Sequence, residues 1–168
     1  MKPADDAAAP SDLATTPDPE TPPDISTLSG RDLLQRGIDG ALPLATMAVA
    51  LNFRLVEVGD GTAVFEGEPG AGHLNPLGSV HGGWALALID SACGCAAHST
   101  LDAGVGYATV ETKVNFTRPI RPDGSTLRTE GRVVSRGRTI ITTEARILDA
   151  AGRLLAHGTS TLMVLGSR

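Results

Sequence analysis

Asp90 stands in a segment that offers a charge almost no solvation: Trp84, Ala85, Leu86, Leu88 and Ile89 precede it and Ala92, Cys93, Ala96 and Ala97 follow. A carboxylate there loses hydration unless it is paired, protonated or put to use. No Lys or Arg occurs between Glu68 and Lys113, so no cation lies one helical turn away. Two readings stay open: Asp90 caps or bonds a polar group such as Ser91 or Thr109 in the core, or it serves the protein's function. His81-Gly82-Gly83 opens the same segment. Glycines at a helix start admit a ligand close to the backbone, and the unpaired N–H groups of the first turn lie at the positive end of the helix dipole. Such groups can stabilise an oxyanion forming on a carbonyl. Read structurally, the same glycines permit close packing and His81 is a loop histidine.

These residues need elements to hold them. Residues 82 to about 99 leave scarcely any polar face and read as one helix that must be covered on most sides. It is long enough to raise the question of a membrane span, which Asp90 at its centre and the strand-like flanks argue against. Before it, "NFRLVEVGDGTAVFEGEP" alternates on both sides of Gly-Asp-Gly and predicts a hairpin; Pro69 to Gly78 is a loop. A short helix is expected over Leu33 to Leu42, continuing past Pro43 toward Met47. After the helix, "YATVETKVNFTRP" alternates with Ala108, Val110, Thr112, Val114 and Phe116 on one face and Thr109, Glu111, Lys113 and Asn115 on the other. Three more strands follow, divided at "SRGR" and "DAAGR". Two strands, a buried helix and four strands predict an α+β fold, an antiparallel sheet curled round a helix.

The 168 residues, 41% hydrophobic, suit one domain with a real core. A net charge of −5 disfavours a nucleic-acid partner. Cys93 and Cys95 have neither the spacing of a zinc site nor that of a disulfide framework, which predicts core fillers in a reducing cytoplasm and no metal. Residues 1–27, rich in Pro, Ala, Asp and Thr and without a signal-peptide core, read as a disordered tail, leaving 28–168 as the folded domain.

Asn75, Gly78, His81-Gly82-Gly83 and then Asp90 nine residues after the histidine resemble the signature of PaaI-like (phenylacetate-pathway) acyl-CoA thioesterases of the hotdog-fold superfamily. The later "VETKVNFTRPIRPDG", "GRVVSRGRT" and "ILDAAGRLLAHGTSTLMV" also look like that family's strands, so the likeness spans about Asn52 to Leu165. It implies a hotdog domain that hydrolyses an aryl- or medium-chain acyl-CoA to free acid and CoA without a cofactor. It makes Asp90 the base or nucleophile and gives the Gly82 N–H to the carbonyl oxygen. His81 and Asn75 would position the thioester or the water, and Thr109 would orient the water.

Geometry adds a constraint. Gly82 and Asp90 of one helix lie about 12 Å apart along its axis, whereas a nucleophile and an oxyanion donor must both lie about 3 Å from one carbonyl. Two antiparallel helices across a two-fold axis can bring them together, which predicts a homodimer with composite sites, and by the resemblance a dimer of dimers. CoA phosphates need cations: Arg118, Arg121, Arg136 and Arg138 stand near strand ends and are the candidates, with Arg136 and Arg138 in "SRGR" favoured. Trp84 reads either as core or, with Gly83, as a wall of the acyl pocket. The competing functions are a hydratase or dehydratase, for which no carboxylate stands a few residues before His81, and a non-catalytic acyl-CoA-binding module, which has no need of Asp90.

Overall fold

The computed structural model of the chain describes residues 24–43 and 45–166. Of the tail expected over 1–27, residues 1–23 lie outside the described residues; Ile25–Thr27 form a 3-10 turn capped by the Asp24 carboxylate. Helix α1 (Gly30–Ile38) begins and ends earlier than the apolar periodicity predicts. Ser29 sets its start, its Oγ accepting the Asp32 N–H at 3.1 Å, and beyond its end Gly40 takes a left-handed φ of +77°. The chain does not continue helically through Pro43, which lacks an N–H and disfavours helical geometry before it; α2 (Thr46–Ala50) is a separate short helix.

Strands β1 (Phe53–Gly59) and β2 (Thr62–Gly67) form the expected hairpin, closing through Gly61 at φ +68°. The remaining strands are β3 (Gly106–Phe116), β4 (Leu127–Arg136), β5 (Ile140–Leu148) and β6 (Leu154–Leu165). The described residues make one antiparallel sheet in the order β1-β2-β4-β5-β6-β3. Helix α3 (Gly82–His98) is cradled by that sheet, as the α+β reading predicts.

The core lies between α3 and the sheet. Ala85, Leu88, Ile89, Ala92, Cys93 and Ala96 are fully buried, and burying Leu88 or Ile89 contributes about 1.5–3 kcal/mol each. Gly131 of β4 has no room for a side chain because the Ala92 carbonyl sits over it, and a methyl at Gly158 of β6 would meet Ile89 Cγ2 at 3.0 Å. The sheet can therefore close onto the helix backbone. Trp84 is 2% exposed, donates its indole N–H to the Leu51 carbonyl at 2.7 Å and lies over Gly67. It belongs to the core and holds the first turn of α3 in place. The cover on α3 is incomplete along one edge: Gly82, Gly83 and Leu86 are exposed there and Asp90 is half-buried. The edge strand β3 borders it.

Candidate active site

The loop before α3 is tied down by side chains. Asn75 Oδ1 accepts the Leu77 N–H at 2.9 Å and the Ser79 N–H at 3.3 Å, and its Nδ2 donates to Ser79 Oγ at 2.8 Å. Both ends of the amide are thus occupied within the loop, so Asn75 shapes the approach to His81. His81 is the N-cap of α3: its Nδ1 accepts the Gly83 N–H at 2.9 Å, which puts the ring proton on Nε2. A methyl at Gly83 would stand 3.0 Å from that Nδ1, so the cap depends on glycine there. With the Gly83 N–H taken by His81 and that of Trp84 by the His81 carbonyl at 3.0 Å, the Gly82 N–H has no acceptor among the described residues. The Phe116 ring lies over Gly82, close enough that a side-chain methyl would meet it at 3.1 Å. Gly82, His81, Phe116 and Arg118 line a cavity of about 350 Å³.

Two helical turns on, Asp90 is held by hydroxyls. Thr109 Oγ1 donates to its Oδ1 at 3.2 Å and Thr112 Oγ1 to the same oxygen at 2.8 Å. Oδ2 receives no hydrogen bond from a described residue. Strict alternation would put Thr109 and Thr112 on opposite faces of β3, as the sequence pattern predicts. A bulge corrects this. Thr109 pairs with Leu162 but Glu111 with Thr161, so Val110 is an extra residue, 61% exposed, and the side-chain phase changes across it. Tyr107 and Thr109 before the bulge then share the helix-facing side with Thr112 and Val114 after it. Thr112 is the residue that the sequence reading missed; behind it Ser160, 2% exposed, contacts its Oγ1 at 2.9 Å.

The other nucleophiles near Asp90 are quenched. Burial pushes the Cys93 thiol up to about 11 and the Cys95 thiol up to about 12, so neither is a thiolate near neutrality. Burial also raises the Tyr107 hydroxyl well above its ordinary value. No group of three or more His, Cys, Asp or Glu that could hold a metal occurs among the described residues, and no helix among them is long and apolar enough to cross a membrane.

The candidate arginines separate. Arg118 joins the Gly82 cavity and gives one terminal N–H to the Leu154 carbonyl at 2.7 Å. Arg136 bonds Thr100 Oγ1 at 3.1 Å, just past the far end of α3. Arg138 lies two residues beyond this last residue of β4, in the β4–β5 connection, and makes no hydrogen bond to a described residue. Gly82 and Asp90 themselves stay apart: eight residues of helix, about 12 Å, divide them. One chain brings together His81, Gly82 and Arg118 at one place and Asp90, Thr109 and Thr112 at another.

Comparison with known proteins supplies the family. The thioesterase superfamily profile matches residues 77–156. A Saccharolobus solfataricus protein with a provisional esterase name is 30% identical over 118 residues, covering 70% of this chain and 82% of that protein. A Ralstonia eutropha structure, assigned as a thioesterase related to phenylacetic acid degradation, is 26% identical and superposes with a TM-score of 0.70 over 77% of this chain and 98% of its own. A Streptococcus mutans protein solved bound to acetyl CoA is 29% identical, TM-score 0.64, over 70% of this chain and 91% of its own. The matched residues include His81, Gly82 and Asp90 and run through the strands that hold them, so fold, motif and relatives agree: the chain belongs to the thioesterase superfamily, as a PaaI-like hotdog thioester hydrolase.

Proposed function

We propose that the chain hydrolyses an aryl- or medium-chain acyl-CoA, with Asp90 as the reacting carboxylate and the Gly82 N–H as the oxyanion donor. The observation that carries this is the state of Asp90: two threonine hydroxyls pin Oδ1 of this half-buried side chain while Oδ2 accepts no hydrogen bond from a described residue. A carboxylate held by one oxygen keeps the other aimed, which is the preorganisation a base or nucleophile requires. The acyl-CoA assignment is supported by the family and by the Streptococcus mutans relative that binds acetyl CoA.

In the general-base form, Oδ2 takes a proton from a water beside the Thr109 hydroxyl as its oxygen attacks the thioester carbon. The carbonyl oxygen becomes an oxyanion facing the Gly82 N–H, at the positive end of α3. Collapse breaks the C–S bond, and the CoA thiolate takes the proton back from Asp90, leaving free acid and thiol. In the nucleophilic form, Oδ2 itself attacks, the C–S bond breaks and the CoA thiolate leaves; water then cleaves the acyl-aspartyl anhydride, regenerating Asp90, releasing the acid and supplying the proton that converts the thiolate to thiol.

Both forms need Gly82 and Asp90 at one carbonyl. Antiparallel pairing of two α3 helices about Leu86, the midpoint of Gly82 and Asp90 and 41% exposed, would set Gly82 of each chain opposite Asp90 of the other. The long edge strand β3, with Val110 61% and Phe116 55% exposed, suits such pairing, since an open edge is normally covered. The test is a thiol-release assay on phenylacetyl-, hydroxybenzoyl- and straight-chain acyl-CoA. Turnover of at least one is expected; no turnover on any would leave acyl-CoA binding without catalysis.

A further inference from the structure

We infer that Ser160 is a positioning residue for the reaction, acting on Asp90 through the Thr112 hydroxyl. This rests on the reading of Asp90 as the reacting carboxylate and deepens it. Along β6, Ala156, Gly158, Ser160 and Leu162 alternate on the buried side, and of these Ser160 alone carries a polar side chain. At 2% exposure its hydroxyl has lost its water and must find partners inside the protein. It finds two, both on β3 just after the extra Val110. Ser160 Oγ donates to the Glu111 carbonyl at 2.8 Å and contacts Thr112 Oγ1 at 2.9 Å, and Thr112 is its direct partner across the ladder. The two strands differ in how firmly they are held. β3 is an edge strand with a bulge, paired on one side only, whereas β6 lies inside the sheet between β3 and β5. On that inner side Ser160 pairs with Thr143, whose hydroxyl donates to the Ser160 carbonyl at 3.2 Å. An interior strand thus anchors the bulged segment that presents Thr112 to Asp90.

Counting protons gives the contacts a direction. From Asp90 Oδ1 the line runs to Thr112 Oγ1 at 2.8 Å and on to Ser160 Oγ at 2.9 Å. Each hydroxyl has one proton to give. A carboxylate is a stronger acceptor than a hydroxyl, so the Thr112 proton goes to Asp90, and toward Ser160 the Thr112 oxygen can only accept. The Ser160 proton then lies between two acceptors, Thr112 Oγ1 and the Glu111 carbonyl, so one buried side chain grips both the hydroxyl and the backbone of the bulged segment. The donors point one way, Ser160 to Thr112 to Asp90, and each bond polarises the next. Without the Ser160 hydroxyl, Thr112 keeps its reach but loses the group that fixes its rotation. Ser160 makes no hydrogen bond to Asp90 itself, so whatever it does to the carboxylate passes through Thr112.

The experiment is steady-state kinetics of the full chain on the acyl-CoA it turns over fastest, with thermal melting of every variant. Ser160→Ala should lower kcat about threefold to tenfold, the size expected for one lost neutral hydrogen bond, with KM unchanged because the side chain does not reach the substrate. In a Thr112→Val background the same substitution should lower kcat no further, since the residue through which it acts is already gone. Ser160→Cys, which fills the same space with a weak donor, should show the same kcat loss and decides the matter if Ser160→Ala does not fold. Thr143→Val removes the next buried hydroxyl of the row; it should lower the melting temperature and leave kcat as in wild type. The inference is overturned if Ser160→Ala or Ser160→Cys keeps the wild-type kcat, if Ser160→Ala lowers kcat by the same factor with and without Thr112→Val, or if Thr143→Val lowers kcat as much as Ser160→Ala. Asp90→Asn that stays within a few-fold of wild type would instead remove the reading of Asp90 itself, and this inference with it.

Discussion

Thr112 Oγ1 lies 2.8 Å from Asp90 Oδ1, and it faces that carboxylate together with Thr109 because β3 carries one extra residue at Val110. The bulge turns an alternating strand into a two-pronged clamp. If Thr112 is a positioning residue, Thr112→Val, which keeps the shape and removes the hydroxyl, should lower kcat about tenfold to a hundredfold with KM little changed. Thr112→Ser should restore most of the rate. Thermal melting separates this from simple loss of packing: equal kcat deficits in the Val and Ser variants, tracking lost stability, would mean that the hydroxyl does not act on Asp90.

Asp90→Asn should cost about a hundredfold or more in turnover while the protein still folds, because the amide preserves volume and removes the group that accepts a proton or attacks. Turnover in ¹⁸O-labelled water tests the anhydride form, which labels Asp90 when water attacks the aspartyl carbon. Label should appear only in the released acid if Asp90 is a base; label in Asp90 itself would establish the anhydride route. Activity within a few-fold of wild type would remove Asp90 from the reaction altogether.

The elements were legible where apolar periodicity sets them: α3 and the six strands fall where alternation and helical spacing put them. The start of α1 carried a readable signal, Ser29 followed by Asp32 three residues on, but the apolar pattern alone points to Leu33. The bulge was not legible. Ala108, Val110, Thr112, Val114 and Phe116 alternate without a break, and an inserted residue that happens to be valine leaves that pattern intact. Arg118 and Arg121 could be named as cations near a strand end, but that Arg153 lines one cavity with them was hidden, since it joins them only when the β3–β4 and β5–β6 connections fold together. Asn75 shows the converse: its place in a motif could be read, but its bonds to Leu77 and Ser79 required the loop.

The cap on α3 can be tested by substituting either partner. Gly83→Ala should push the His81 ring away, and His81→Ala should remove it, each costing about 1 kcal/mol of stability along with part of the activity. Because both variants break the same bond, the double variant should be little worse than either alone. Additive losses in denaturant titration would show that the two residues act independently.

His98, packed against Tyr107 with ring centroids 5.5 Å apart, gives stability a pH dependence. Burial holds its pKa below the ordinary 6.5. Above about 6.5 the ring is neutral in both folded and unfolded chains. As pH falls through that value the unfolded chain binds a proton that the folded one resists, so stability declines on acidification. Unfolding measured from pH 7.5 to about 5.5 should therefore fall less steeply for His98→Leu than for wild type; parallel curves would assign the acid sensitivity to other groups.

The composite site makes the most demanding prediction. Gly82 and Asp90 of one chain are separated by about 12 Å of helix, so a monomer should lack a complete site and activity should vanish on dissociation. Asp90→Asn removes the carboxylate, and Gly82→Val fills the place of the carbonyl oxygen while pressing on Phe116, whose exposed ring can yield. Each variant alone should be inactive. When the two are mixed and exchange subunits, every mixed dimer should carry one site with both defects and one with neither. Random exchange of equal amounts makes half the dimers mixed, with half their sites intact, so roughly a quarter of wild-type activity should return. Size-exclusion chromatography of Gly82→Val must first show the same assembly as wild type. Verified mixed dimers without recovery would mean that both groups act within one chain, and the pairing of Gly82 with Asp90 across a two-fold axis would have to be abandoned.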